Sequence, residues 1–345
     1  MANKDTLLKE VVVMRPILFF LLVVYHCFII YSGGWHMPDG AYPNESYAWI
    51  SKFSYSFLLE SFVFISGYVF AYQLSVRSQC ASWKYILINK SKRLLLPMVI
   101  WGCVYFGVFY PDSVNFLLVY KILEGASHLW YLPMLFWTFV ICLLLIKYVY
   151  KIKYRFILLC LLCIVSYVPL PFRFNNAMYY ALFFYLGYEM YIRREVVASI
   201  ITRKQIIGTW LVYVLMFVSL IICREKLIEV VSSSEYVLYK IFGYSLTTMM
   251  RVTYAVFGLL ALYITSLSVV AIYNIVIPKW LVKFGDISMG AYIIHQFVIM
   301  CLYFRTNLPA MLENKLPWVV LILTIVLSLF FAYVLKRTPI IKKCI

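Results

Sequence analysis

The chain has 345 residues, of which 65% are hydrophobic and only 13% charged, and it carries a net charge of +17 from 31 basic against 14 acidic side chains. So much apolar material exceeds what one soluble core can absorb, which excludes an ordinary soluble enzyme and leaves lipid as the solvent. The basic surplus lies between apolar runs, so it reads as a topology signal, with an attraction to anionic lipids, and not as a nucleic-acid footprint.

A bilayer is crossed by about 20 apolar residues in helical conformation. On that ruler the sequence predicts an all-α, polytopic bundle of ten helices over 11–32, 53–75, 94–110, 127–147, 155–171, 176–192, 205–223, 252–273, 283–304 and 317–335. No polar, Pro/Gly-rich or repetitive linker interrupts it, so one membrane domain over 1–345, with no appended soluble domain, is expected. The first run carries Arg15 and His26 and lacks a small-residue cleavage site, which predicts a retained span. Lys84, Lys90, Lys92 and Arg93, then Lys147 to Arg155, Arg193 to Lys204, Lys279 with Lys283, and Lys336 with Arg337 fall in alternate connections. Basic residues mark cytoplasmic segments, so both termini are expected in the cytoplasm. A long outer loop is expected over 224–251.

Charged groups at membrane depth are costly and mark pathways or sites. In the first span Arg15 and His26 are about three helical turns apart, on one face and roughly 16 Å apart along the axis. Arg15 lies towards the cytoplasmic end, where snorkelling to headgroups is the plain alternative. His26 lies in the outer half; it suits a general base, against the alternative of a hydrogen-bonded helix contact. Glu60 in the second span reaches about the same depth, so a carboxylate–imidazole pair orienting His26 is expected, with a merely structural ion pair as the alternative.

Lys90, Lys92 and Arg93 precede the third span, either as topology signals or as a phosphate clamp at the cytoplasmic mouth with Arg15. His128 and Trp130 open the fourth span at its outer end, where an aromatic girdle is the plain alternative. Cys160 and Cys163 form a CxxC inside an apolar run, which argues against a metal or redox site. In the ninth span Ser288, Tyr292 and His295 recur on a helical period, with His295 in the outer half. Three of the four histidines and Glu60 thus project to the outer half, which predicts one polar cavity.

These segments resemble the acyltransferase-3 family of membrane acyltransferases. The likeness rests on Met14-Arg15-Pro16 through Val24-Tyr25-His26, Glu60 through Ser66-Gly67-Tyr68, Lys90 to Pro97, His128-Leu129-Trp130-Tyr131-Leu132, and Gly285 to His295-Gln296, in that order along the chain. The resemblance implies O-acylation, with acyl-CoA as a cytoplasmic donor substrate, no tightly bound cofactor and no metal. The acceptor would be a hydroxyl of a cell-surface or lipid-linked glycan. It also implies a catalytic His26 and donor contacts from Arg15 and Arg93, to which the depth of Glu60 adds a carboxylate supporting His26 and the basic cluster adds Lys90 and Lys92. His128, Trp130, Ser288, Tyr292 and His295 would line the acceptor side. A bacterial cytoplasmic (inner) membrane location is expected. A transporter or flippase for a lipid-linked saccharide is the alternative, since polar residues at midplane suit it too. It would favour related halves and Gly/Pro-broken helices, and no internal repeat is evident.

Overall fold

The structure, a computed structural model, describes residues 8–76, 83–111, 116–271 and 276–338. Among these it is all helical: α1 (Lys9–Phe28), α2 (Glu45–Tyr55), α3 (Leu58–Val76), α4 (Trp83–Phe109), α5 (Phe116–Leu123), α6 (Tyr131–Tyr148), α7 (Ile152–Val165), α8 (Phe174–Ile192), α9 (Arg194–Ile200), α10 (Arg203–Ser233), α11 (Val237–Ala271), α12 (Lys279–Phe304), α13 (Leu308–Leu312) and α14 (Leu316–Arg337). Among the described residues eight helical stretches are long and apolar enough to cross a bilayer: Lys9–Ser32, Glu45–Ser75, Trp83–Phe109, Ser127–Tyr148, Arg203–Ser233, Val237–Ala271, Lys279–Phe304 and Leu308–Arg337. The protein is therefore a polytopic helical membrane protein. The fifth and sixth expected spans correspond to α7, which has only 14 residues, and α8, whose 19 residues include Asn175, Asn176 and Glu189.

The ends of the helices follow local chemistry. The Asn44 side chain accepts from the Tyr47 amide and starts α2, as an N-cap does for an otherwise orphaned donor. Thr202 and Gln205 form a reciprocal capping box at the start of α10,. Pro317 sits in the first turn of α14, where its missing N–H costs nothing. Arg155 donates to the carbonyls of Ile146 and Val149 and so closes the end of α6; cations there complement the helix dipole.

Residues 59–271 form one compact unit. Within it α3 and α8 run in the same direction. Glu60 meets Tyr179 near their starts, and Tyr68 and Tyr72 meet Tyr191 near their ends. Gly67 and Gly187 make the close approach possible. A Cβ on Gly67 would lie 1.9 Å from the Phe184 carbonyl oxygen, and one on Gly187 would lie 2.1 Å from that of Phe64. Small residues of this kind let helices touch through their backbones in lipid, where packing replaces the hydrophobic drive.

Helices α10 and α11 form an antiparallel hairpin. Its contacts run from Trp210 Nε1 with Thr265 Oγ1, through Phe217 with Tyr254, to Arg224 Nε with the Thr247 carbonyl. The segment over 224–251, expected as a loop, is therefore mostly helix, with a short turn between Ser233 and Val237. Arg224, Glu225 and Lys226 lower hydropathy, but all three are good helix formers, so the helix continues past the apolar run. At 31 and 35 residues the two helices extend about 46 and 52 Å, longer than a hydrocarbon core. Ile207, Leu211 and Leu215 recur at helical spacing on α10 and are exposed, as a lipid-facing stripe requires.

Residues 8–58 and 276–338 form the second compact unit, from α1, α2, α12, α13 and α14. Its core joins Val23, Cys27 and Phe28 of α1 to Ala291 and Ile299 of α12 and to Val320 of α14.

Candidate active site

In the second unit two contacts fix the relation of α1 to α12. Arg15 Nη1 lies 3.1 Å from where a Cβ on Gly285 would be, and the His26 and His295 rings meet with centroids 4.9 Å apart. Eleven residues separate the first pair's member on α1 from the second's, and ten do so on α12. The helices therefore run in the same direction and nearly in register, with Arg15 at one end of the seam and His26 at the other. The rise between these ends is about 16 Å.

The Arg15 end is polar and basic. Gly285 has no side chain, so the guanidinium can lie against α12. Next to it Asp286 pairs with Lys336 at 3.5 Å, and Ser288 Oγ donates to its own helix at the Gly285 carbonyl, 3.0 Å away. The His26 end is aromatic. Tyr25 lies edge-on to the His26 ring at 4.8 Å and Trp35 lies at 5.8 Å. Tyr25 also stacks on Tyr55 at 4.2 Å. Tyr303 donates to the Cys27 carbonyl just beyond His26.

His26 is buried, and its Nδ1 is 2.9 Å from the Leu22 carbonyl oxygen and 3.3 Å from His295 Nε2. His295 is fully buried, and its Nδ1 contacts the Tyr292 carbonyl. Tyr292 is half-buried, with its ring 5.8 Å from that of His295.

The first unit holds the remaining expected residues. Glu60 is fully buried, with Oε1 accepting from Arg251 Nη2 at 3.0 Å and from the Tyr179 hydroxyl at 2.9 Å. Arg251 also donates to the Tyr180 hydroxyl and lies over the Tyr179 ring. Lys90 Nζ sits over the Phe139 ring at 4.2 Å, a cation–π contact,, whereas Lys92 and Arg93 are exposed on α4. His128 is buried in a tight turn entered through Gly125, at φ 88°, and Ser127, at φ 49°. The half-buried Trp130 lies 6.4 Å from the Tyr180 ring. Among the described residues no three His, Cys, Asp or Glu side chains converge as metal ligands.

Sequence reasoning missed Arg251, Tyr179, Tyr180 and Trp35. Arg251 stands at the edge of an apolar run and looked like a loop charge. The tyrosines lie in an aromatic-rich stretch where nothing in the pattern distinguishes them. Trp35 follows Gly33-Gly34 in a loop, and only its fold-back over His26 gives it meaning.

A family model of acyltransferase-3 type, described as an acyltransferase domain, matches residues 9–337 and so takes in both units. The chain belongs to this acyltransferase family, and with its membrane-crossing helices it is a membrane acyltransferase. No curated protein and no solved structure matches it.

Proposed function

We propose that the protein transfers an acyl group, acetyl by default, from cytoplasmic acyl-CoA to a hydroxyl of a cell-surface or lipid-linked glycan at a bacterial inner membrane. The observation that carries this reading is the α1–α12 seam. It sets a cation at one end and a histidine ringed by aromatics at the other, about 16 Å away. An acyl-CoA is an anionic head on a long flexible arm ending in a thioester. Arg15 suits its phosphate groups, and a pantetheine arm is of the right order of length to bring the thioester towards His26. Lys92 and Arg93, exposed on α4 of the first unit, are proposed as phosphate contacts on their charge alone, and Lys90 beside them is drawn onto Phe139. Tyr25 and Trp35 offer flat apolar faces of the kind that sugar rings lie against. Tyr292, whose ring lies beside that of His295, is assigned to the acceptor side, whereas Ser288, one turn from Gly285 and bonded to its carbonyl, lies at the Arg15 end; His128 and Trp130 are proposed as acceptor contacts on their chemistry alone.

In the reaction His26 takes the proton of the acceptor hydroxyl as its oxygen attacks the thioester carbonyl. The new C–O bond forms, the C–S bond breaks, and the proton passes on to the leaving CoA thiolate.

Ten crossings with both termini in the cytoplasm remain the preferred topology. The shared direction of α3 and α8, from Glu60–Tyr179 to Tyr72–Tyr191, supports counting α7 and α8 as a crossing pair. Within the second unit the α1 start, Lys283 and Lys336 gather at the Arg15 end, which favours that end as cytoplasmic. No observation favours the transporter reading.

The test is transfer from labelled acetyl-CoA to glycan in membranes from expressing cells, with no ion gradient imposed. Donor-dependent labelling that disappears in His26→Ala is expected. Full labelling by His26→Ala would overturn the catalytic assignment.

A further inference from the structure

The hydrogen bonds around His26 fix which of its nitrogens carries the proton. A carbonyl oxygen only accepts, so the His26 nitrogen facing the Leu22 carbonyl, Nδ1, is the N–H,. The same argument applied to the Tyr292 carbonyl puts the His295 proton on its Nδ1. A neutral imidazole has one N–H, so His295 Nε2 is a lone pair, and it is directed at His26 Nδ1 from 3.3 Å. The reverse arrangement would give His295 two N–H groups, and hence a charge at a site with no exposure, which is costly. His26 Nδ1–H is thus shared between a carbonyl of its own helix and the lone pair of a histidine on the next. Its Nε2 is left as the basic nitrogen.

From this geometry we propose that His295 is a positioning residue for the transfer. It holds His26 in the Nδ1–H tautomer, with Nε2 turned to the acceptor hydroxyl, and it accepts more strongly from the imidazolium that forms when Nε2 takes the proton. No proton moves to His295; the proton goes from the hydroxyl to His26 Nε2 and then to the thiolate sulfur. The inference rests on His26 being the base. Loss of the partner that fixes tautomer and orientation lowers turnover without weakening donor binding, because His295 lies at the end of the seam away from Arg15.

The experiment compares steady-state transfer by purified full-length protein in detergent for wild type, His295→Leu, His295→Gln, His26→Ala and the double variant His26→Ala/His295→Leu. His295→Leu is expected to lower kcat about 100-fold, within the range a positioned base supplies, with the KM for acetyl-CoA within about two-fold of wild type. Gln can present an oxygen near the place of Nε2, so His295→Gln should recover at least about ten-fold of that loss. The double variant should be no slower than His26→Ala alone. Where His295→Leu lowers the melting temperature, His295→Asn takes its place. It can still bond the Tyr292 carbonyl but is too short to reach His26, so it should be as slow as Leu. Wild-type kcat in His295→Leu, or Gln as slow as Leu at equal melting temperature, overturns the inference while leaving His26 as the base. Full activity in His26→Ala overturns the base itself.

Discussion

Gly285 faces Arg15 so closely that a Cβ on the glycine would stand 3.1 Å from the guanidinium Nη1. The glycine is thereby part of how the arginine is held. A methyl there requires the guanidinium to shift by a few tenths of an ångström, and a branched side chain displaces it. Gly285→Val is expected to raise the KM for acyl-CoA by about ten-fold with a smaller change in kcat, the signature of lost ground-state binding. Arg15→Ala should do the same more strongly. Initial rates against acyl-CoA concentration check both, and an unchanged KM in Arg15→Ala would move the donor site away from α1.

Arg93→Ala tests the second set of cations. Weaker acyl-CoA binding is expected, read by isothermal titration in detergent. Lys90→Met should leave binding nearly unchanged, because the Lys90 ammonium is engaged on the Phe139 ring.

The Glu60–Arg251 ion pair predicts a stability effect. Its carboxylate is fully buried while the arginine side chain is 25% exposed. Removing one partner of a buried pair leaves the other uncompensated, so Arg251→Met should destabilise by about 3 kcal/mol. Glu60→Gln keeps an acceptor for Tyr179 and should cost less. Melting in detergent measures both, and the double variant should melt above Arg251→Met alone, since no unpaired carboxylate remains in it.

These cases show what the sequence carried. Arg15 and His26 were legible because charge is rare in a span and helical period puts both on one face. Their partners were not. Gly285 and His295 lie some 270 positions away in a helix that could have packed in either direction, and only tertiary contact sets parallel α1 and α12 in register. Glu60 stood out for the same reason as His26, but its bonds to Arg251 and Tyr179 join three helices that no local pattern links. The charges at Arg224, Glu225 and Lys226 broke the apolar run without breaking the helix, so hydropathy misplaced the helix end.

The crossing of α3 and α8 depends on two glycines. Gly67→Val and Gly187→Val each drive a side chain into a facing carbonyl, and either should reduce the yield of folded protein, read by size exclusion from detergent. Gly208→Val, where a Cβ meets nothing within 4 Å, should be tolerated.

Span number is tested by labelling single cysteines with an impermeant maleimide, in a background lacking the native ones. Position 150, in the turn after α6, and position 170, ahead of α8, are expected to label from opposite sides if α7 crosses. Labelling from the same side would reduce the count to eight.

Because Arg15 and His26 lie on one unbroken helix, the interval between them is counted in peptide bonds and cannot adjust to the molecule that spans it. Adding one residue anywhere between them would preserve every side chain and every apolar run, yet turn the far end about 100° away from His295. If the donor lies along this seam as proposed, its arm meets a fixed gauge, and a donor with a longer acyl chain would house its extra carbons beyond the histidine instead of stretching the path to it.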